Sequence, residues 1–150
     1  ARCRAHVASS PCCASASSGT EGQAPMSEAP GIVIVREGRI DPGELERLVL
    51  LYFEDMVKYV VDVERGVIGL GGDMHADAEQ LLLEDGSRQA DIWGANYYPG
   101  RGREGSIEYT SLINIRPSAG NRSMEIQDPG LRQRVRDLTW ALVGEGEPLP

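Results

Sequence analysis

Cysteine is missing from most of the chain. Among 150 residues only Cys3, Cys12 and Cys13 are cysteines, so the chain beyond residue 13 can form neither a disulfide framework nor a thiolate metal site of its own. Adjacent cysteines rarely bridge each other, and Cys12 and Cys13 have no cysteine partner downstream, so no disulfide or metal chemistry is expected of them. Long apolar runs are also lacking. None approaches the roughly 20 residues that a membrane-crossing helix needs, which excludes that class. Positive charge is scarce, with 15 basic against 23 acidic side chains and a net charge of −8. The resulting pI of about 4.8 argues against general binding to nucleic acid or anionic membranes, which relies on a positive field. Beyond residue 25 the sole histidine is His75. No nucleophile elbow or lysine partner marks Ser111 or Ser123 as a nucleophile. Gly69-x-Gly71-Gly72 falls short of a dinucleotide fingerprint.

What is present is the composition of one soluble domain: 41% hydrophobic and 25% charged residues, with a mean hydropathy of −0.30. Residues 1–25 stand apart. They are rich in Ala, Ser, Gly and Cys, carry two Arg and one Glu, and show no helical or strand period. They lack the apolar core of a secretory signal. The expectation is a disordered, extraneous upstream segment with the true start at Met26, then a single domain over 26–144 and a frayed tail over 145–150. Without that segment the net charge is −9. A cysteine-free domain fits a cytoplasmic location.

The domain alternates strand and helix signals. Ile32 to Val35 is a short β-branched run. Asp41-Pro42-Gly43-Glu44 predicts a helix start with Asp41 as cap, and Leu45, Leu48, Val49 and Tyr52 form its apolar stripe. From Val57 to Val63 the period becomes two, and Arg65-Gly66 turns the chain into Val67-Ile68-Gly69-Leu70. Asp73 is the expected cap of a second helix, ended by Gly86. A strand from Asp91 to Tyr98, a hairpin loop at Pro99–Arg103 and a long strand from Ser106 to Arg116 follow. Asp128-Pro129 opens a last helix with Leu131, Val135, Leu138 and Leu142 on one stripe. The order β-α-β-β-α-β-β-α predicts an α+β fold with an antiparallel or mixed sheet of about five strands and the helices packed on one face.

Three stretches offer chemistry. His75 lies at a helix start, with Asp77 beside it and Glu79 one turn on. His75 and Glu79 share a helical face, so with Asp62 or Glu64 they are candidates for a hard or borderline metal site. The plainer alternative is a hydrogen-bonded turn histidine in an acidic first turn that complements the helix dipole. Second, Arg116 and Arg122 bracket a loop that also holds Ser118, Asn121 and Ser123. Paired guanidinium forks suit a phosphate or carboxylate, and the plainer alternative is ordinary ion pairs with the many acids. Third, Asp91, Asn96 and the aromatics Trp93, Tyr97 and Tyr98 could line a cleft, pack a core or form an oligomer face, while Gly94 inside a strand signals close backbone approach.

Asp55-Met56-Val57-Lys58 with Asp62, Gly71-Gly72 with His75-Ala76-Asp77, and Gly86-Ser87 with Gln89 and Asp91 form a pattern with Trp93-Gly94, Asn96, Tyr98 and Pro99. It continues through Ile113-Asn114-Ile115-Arg116-Pro117 and Gly120-Asn121-Arg122-Ser123. From about Ile32 to Leu142 the chain resembles a family of small bacterial proteins, the domain-of-unknown-function family five-six-seven-four. The resemblance implies a start near Met26 and brings no activity, ligand or partner. Asp73 and Ala95 stand where it leads one to expect Glu and a larger aliphatic residue.

Three functional readings compete. The leading expectation is a small-anion site, with His75, Asp77 and Asp91 as candidate catalytic groups and Asn96, Arg116, Asn121, Arg122 and Ser123 as ligand contacts. The second is a non-catalytic homo-oligomer or protein-interaction module that uses Trp93, Tyr97 and Tyr98. The third is a metal-dependent hydrolase built on His75 and Glu79. No particular cofactor is implied.

Overall fold

The computed structural model describes residues 31–150. The expectations for residues 1–25 and for a start at Met26 lie outside the described residues. The elements run β1 (Ile32–Val35), α1 (Pro42–Tyr52), β2 (Val57–Asp62), β3 (Val67–Gly71), α2 (His75–Glu84), β4 (Ile92–Tyr97), the single turn α3 (Gly102–Gly105), β5 (Ile107–Glu108) and α4 (Pro129–Leu142). Three 3-10 turns, Gln89–Asp91, Leu112–Asn114 and Pro117–Ala119, complete the set. The sheet has five antiparallel strands in the order β1-β3-β2-β4-β5. This is the expected α+β class. No helix among the described residues is long and apolar enough to cross a membrane.

Local chemistry explains most boundaries. The Asp41 carboxylate accepts from the Glu44 N–H at 3.1 Å, and Asp128 accepts from the Gly130 N–H at 3.1 Å, so both proline-opened helices carry the expected caps. The β2–β3 turn closes on Asp62, whose Oδ1 accepts from the N–H groups of Glu64 and Arg65. Gly66 takes the positive φ the turn requires. For α2 the cap position belongs to Met74, not Asp73, and no side chain caps it. The Asp73 carbonyl instead accepts from the Lys58 ammonium at 2.8 Å.

The helices do not share one face of the sheet. Alternation along β2 sends Val57, Tyr59 and Val61 into a large core with Leu45, Leu48 and Val49 of α1 and Val135 and Leu142 of α4. Val60 faces the other way and joins Ile32, Val67 and Ile92 beneath Ala78 and Leu82 of α2. The expectation of one covered face fails because these four residues form a second apolar surface, and α2 shields it from water. In register, Val60 stands between Gly69 and Gly94. The bare backbones there let α2 and the Leu112–Asn114 turn approach the sheet closely. On the first face, the buried Tyr59 hydroxyl lies 2.7 Å from Thr139 Oγ1, which donates to the Val135 carbonyl. Tyr59 is therefore the donor, and α4 is pinned to the central strand.

Two other expectations are corrected. The long strand from Ser106 to Arg116 ends after Glu108, because two side chains capture the backbone that would have continued it. Ser111 Oγ accepts from the Ile113 N–H, and the Asn114 amide turns back onto β4. The C-terminal residues are tied down rather than frayed. The Gly100 and Gly102 N–H groups donate to the carbonyls of Glu147 and Gly146, the Gly146 N–H donates to the Tyr97 hydroxyl, and Leu149 packs on the core.

The Asn114 amide accepts from the Gly94 N–H at 2.9 Å and donates to the carbonyls of Gly94 and Met124 at 2.9 and 3.0 Å. Asn114→Ala leaves these buried groups unpaired, and urea unfolding should show a loss of about 3 kcal/mol. Gly94→Ala places a Cβ 2.7 Å from Ser111 Cβ and should cost about 1–3 kcal/mol through overpacking, read in the same assay.

Candidate functional site

Two cavities flank the Leu112–Asn114 turn, and both take Leu112 and Ile113 into their walls. They lie where β4 runs past the end of the two-residue β5. The larger, of about 450 Å3, is lined by Glu79 of α2, Gln89 and Ala90 of the 3-10 turn before β4, and Arg116, Ser118 and Ala119 of the loop after it. The smaller, of about 290 Å3, is lined by Lys58 of β2, Met74, His75 and Ala76 at the start of α2, Asn96 of β4, and Thr110, Ser111 and Met124.

Arg116 is the unusual group of the larger cavity. Its side chain is only 13% exposed, and its guanidinium carbon lies 4.8 Å from the Trp93 ring centroid. Nη1 and Nη2 are buried without a hydrogen-bond partner. The nearest acid is Glu79, whose Oε1 is 3.6 Å from Nη2, close enough for Coulomb attraction but too long for a hydrogen bond. Gln89 Nε2 donates to the same Oε1 at 3.4 Å, also a long contact. Burial pulls the Arg116 guanidinium below its usual range, with Glu79 and Asp91 opposing. An arginine nevertheless stays protonated at neutral pH. A charge that has lost its water and gained no donor–acceptor contact is an expensive state, and it is relieved by an anion that supplies acceptor oxygens.

In the smaller cavity His75 Nε2 lies 2.8 Å from the Ala95 carbonyl. A carbonyl only accepts, so Nε2 carries the proton and Nδ1 of the neutral ring is an acceptor. Burial lowers the His75 pKa below its ordinary 6.5, and the Lys58 charge works in the same direction. The Ala95 carbonyl, the Asn96 side chain and Glu108 oppose it. Asn96 Nδ2 donates to Glu108 Oε2 at 3.0 Å, as does the Tyr98 hydroxyl at 2.9 Å. This fixes the amide orientation, since a flip would set carbonyl against carboxylate.

The residues expected to form one site are therefore distributed. His75 and Asn96 share the smaller cavity, and Arg116 lines the larger. Asp77 is exposed on α2. Asp91 pairs with Arg88 at 2.9 Å and lines a third cavity with Asn121. Arg122 is exposed and lines neither cavity beside the 112–114 turn. The Asn121 side chain holds its own loop together: Nδ2 donates to the carbonyls of Asn114, Ser123 and Glu125, and Oδ1 accepts from the Gln127 N–H. Ser123 Oγ accepts from the Glu125 N–H. Sequence reasoning gave no role to Lys58 and Gln89, although both stand in the pattern that carries the resemblance, whereas Ser118 belongs to the loop read as an anion site.

The metal arrangement is not found. Among the described residues no three His, Cys, Asp or Glu side chains come together as a metal-holding group. Glu79 faces Arg116, Asp62 commits Oδ1 to the β2–β3 turn, and Glu64 pairs with Arg134 at 3.4 Å. The aromatic contact face is also corrected. Trp93 and Tyr97 belong to the core, and Tyr98 is held by Glu108 and by Arg101 over its ring.

Residues 33–142 match the protein family described as "Protein of unknown function (DUF5674)". No curated protein and no solved structure matches the chain.

The depressed His75 pKa has a stability consequence of definite sign. The folded state binds its proton less readily than the unfolded state, so its contribution is intact above about pH 6.5 and is lost as pH falls through the folded value. Urea midpoints measured from pH 7.5 down to 5 should therefore fall less steeply in His75→Gln than in the parent. Equal slopes would mean that His75 is not held neutral by burial.

Proposed function

The chain belongs to this family, whose description names no activity, and from the geometry of the larger cavity we propose that the protein binds a small carboxylate or phosphate at Arg116. The observation that carries the reading is the pair of buried guanidinium nitrogens without hydrogen-bond partners beside a cavity of about 450 Å3. A planar or tetrahedral oxyanion supplies the missing acceptors, and a guanidinium fork binds such groups through two N–H donors at once. The Trp93 ring beneath the guanidinium holds its plane.

Glu79 narrows the ligand. With a carboxylate 3.6 Å from Nη2, the cavity is a split pair of charges rather than a positive patch. A bare anion meets attraction from Arg116 and repulsion from Glu79. A ligand that carries a hydroxyl or amino group next to its anionic end serves both. Hydroxy acids, amino acids and hydroxylated phosphates have this form. His75, Asp77 and Asp91 stand in three separate settings, so the reading is of binding and not of turnover.

Thermal unfolding of the full chain with acetate, glycolate, glycine and inorganic phosphate tests it. A ligand at about one hundred times its dissociation constant should add roughly 2.7 kcal/mol, with glycolate or glycine exceeding acetate. Arg116→Gln should remove the response, and Arg122→Gln should retain it. A response unchanged in Arg116→Gln, or none from any anion, would reject the site.

A further inference from the structure

The smaller cavity has a chemistry opposite to that of its neighbour. Around its mouth stand Met74, Leu112 and Met124, which are 54%, 67% and 41% exposed. Large apolar side chains clustered around a concavity mark a site for an apolar ligand more strongly than the same residues scattered singly. Two of the three are methionines, whose flexible, polarisable thioethers adapt to ligand shape. The volume of about 290 Å3 lies just below the range for drug-sized small-molecule sites, roughly 300–1,000 Å3, and so suits a smaller molecule.

The polar groups inside it offer acceptors. Asn96 is 8% exposed, and its Oδ1 is buried without a partner, because Nδ2 is the atom committed to Glu108. His75 Nδ1 is an acceptor because Nε2 donates to the Ala95 carbonyl. The cation of the cavity is already engaged. The Lys58 ammonium donates to the Asp73 carbonyl at 2.8 Å and lies 4.9 Å from the Phe53 ring centroid. An anionic head would meet acceptor atoms with the Glu108 carboxylate behind them, and a cationic head would meet Lys58. An uncharged donor fits both.

We propose that this cavity binds a small, uncharged, largely apolar molecule that carries a hydroxyl or amide N–H donor. The donor reaches Asn96 Oδ1 or His75 Nδ1, and the apolar body is covered by the methionines and Leu112. The site is independent of the anion reading at Arg116, from which the Leu112–Asn114 turn separates it.

Benzamide and benzyl alcohol, with benzoate as the charged isostere, are suitable probes for titration into the full chain at pH 7.5, followed by the His75 ring resonances in NMR. Both neutral probes should give a saturable shift. Benzoate should bind about ten-fold more weakly or worse, since an acceptor-only head leaves the buried acceptors unpaired. Met74→Glu and Met124→Glu, at exposed positions that line this cavity and not the larger one, should each weaken benzamide about ten-fold while the unliganded melting temperature is retained. The proposal is overturned if neither neutral probe gives a saturable shift, if benzoate binds as tightly as benzamide, or if both folded variants bind benzamide undiminished.

Discussion

A side-chain amide standing in for a strand organises the region where both cavities lie. β5 pairs with β4 only at Asn96 and Tyr97, so Gly94, two residues further along, would leave its N–H and C=O at an open edge. The Asn114 amide has one donor and one acceptor on the same side, the same pattern as a neighbouring peptide, and it meets both groups at 2.9 Å. An edge left open is both a desolvation cost and a template for pairing with another chain. The amide can come so close because residue 94 has no side chain. The turn that carries Asn114 is then the partition between the Arg116 cavity and the His75 cavity, and its own position is held by Asn121, whose amide donates to the Asn114 carbonyl at 2.7 Å.

The two cavities differ because they draw on different parts of the scaffold. The His75 cavity lies over the sheet, and its polar residues come from β2, β4, the first turn of α2 and the Thr110–Ser111 segment after β5. The Arg116 cavity lies beyond the strand edge, between α2 and irregular loops. Most other arginines are satisfied by acids near the surface: Arg39 by Glu147, Arg103 by Glu145, Arg88 by Asp91. Such exposed pairs contribute little to stability. Asp85 is more strongly held, since Arg36 and Arg65 converge on it and depress its pKa to about 2. Arg116 differs from all of these in being buried with a carboxylate nearby and no hydrogen bond to it.

Much of the fold was legible because its signals are local. Asp41-Pro42 and Asp128-Pro129 state their helix starts through a carboxylate and a missing N–H, and Arg65-Gly66 states a hairpin through a glycine with positive φ. Alternation at Val57–Asp62 gives the strand and its two faces. The site was legible only in part. His75, Asn96 and Arg116 line cavities, as polar residues at strand and helix ends often do. Asn121 and Ser123 have the same local look but spend their atoms on their own loop. A sequence shows that an amide is present and says nothing of which carbonyl reaches it first.

The order of the main strands and helices, the caps of α1 and α4 and the apolar stripes were determined by the sequence itself, since each depends on neighbours within about one helical turn or one strand pair. The tertiary structure alone decided that α2 lies across the sheet from α1 and α4, that the segment after Glu108 leaves the sheet, and that His75 and Arg116 face different cavities. Those outcomes rest on contacts between residues far apart in the chain: Val60 with Leu82, Gly94 with Asn114, Glu79 with Arg116. Such contacts are settled by competition for burial and for hydrogen-bond partners across the whole domain, and no spacing along the chain records who wins.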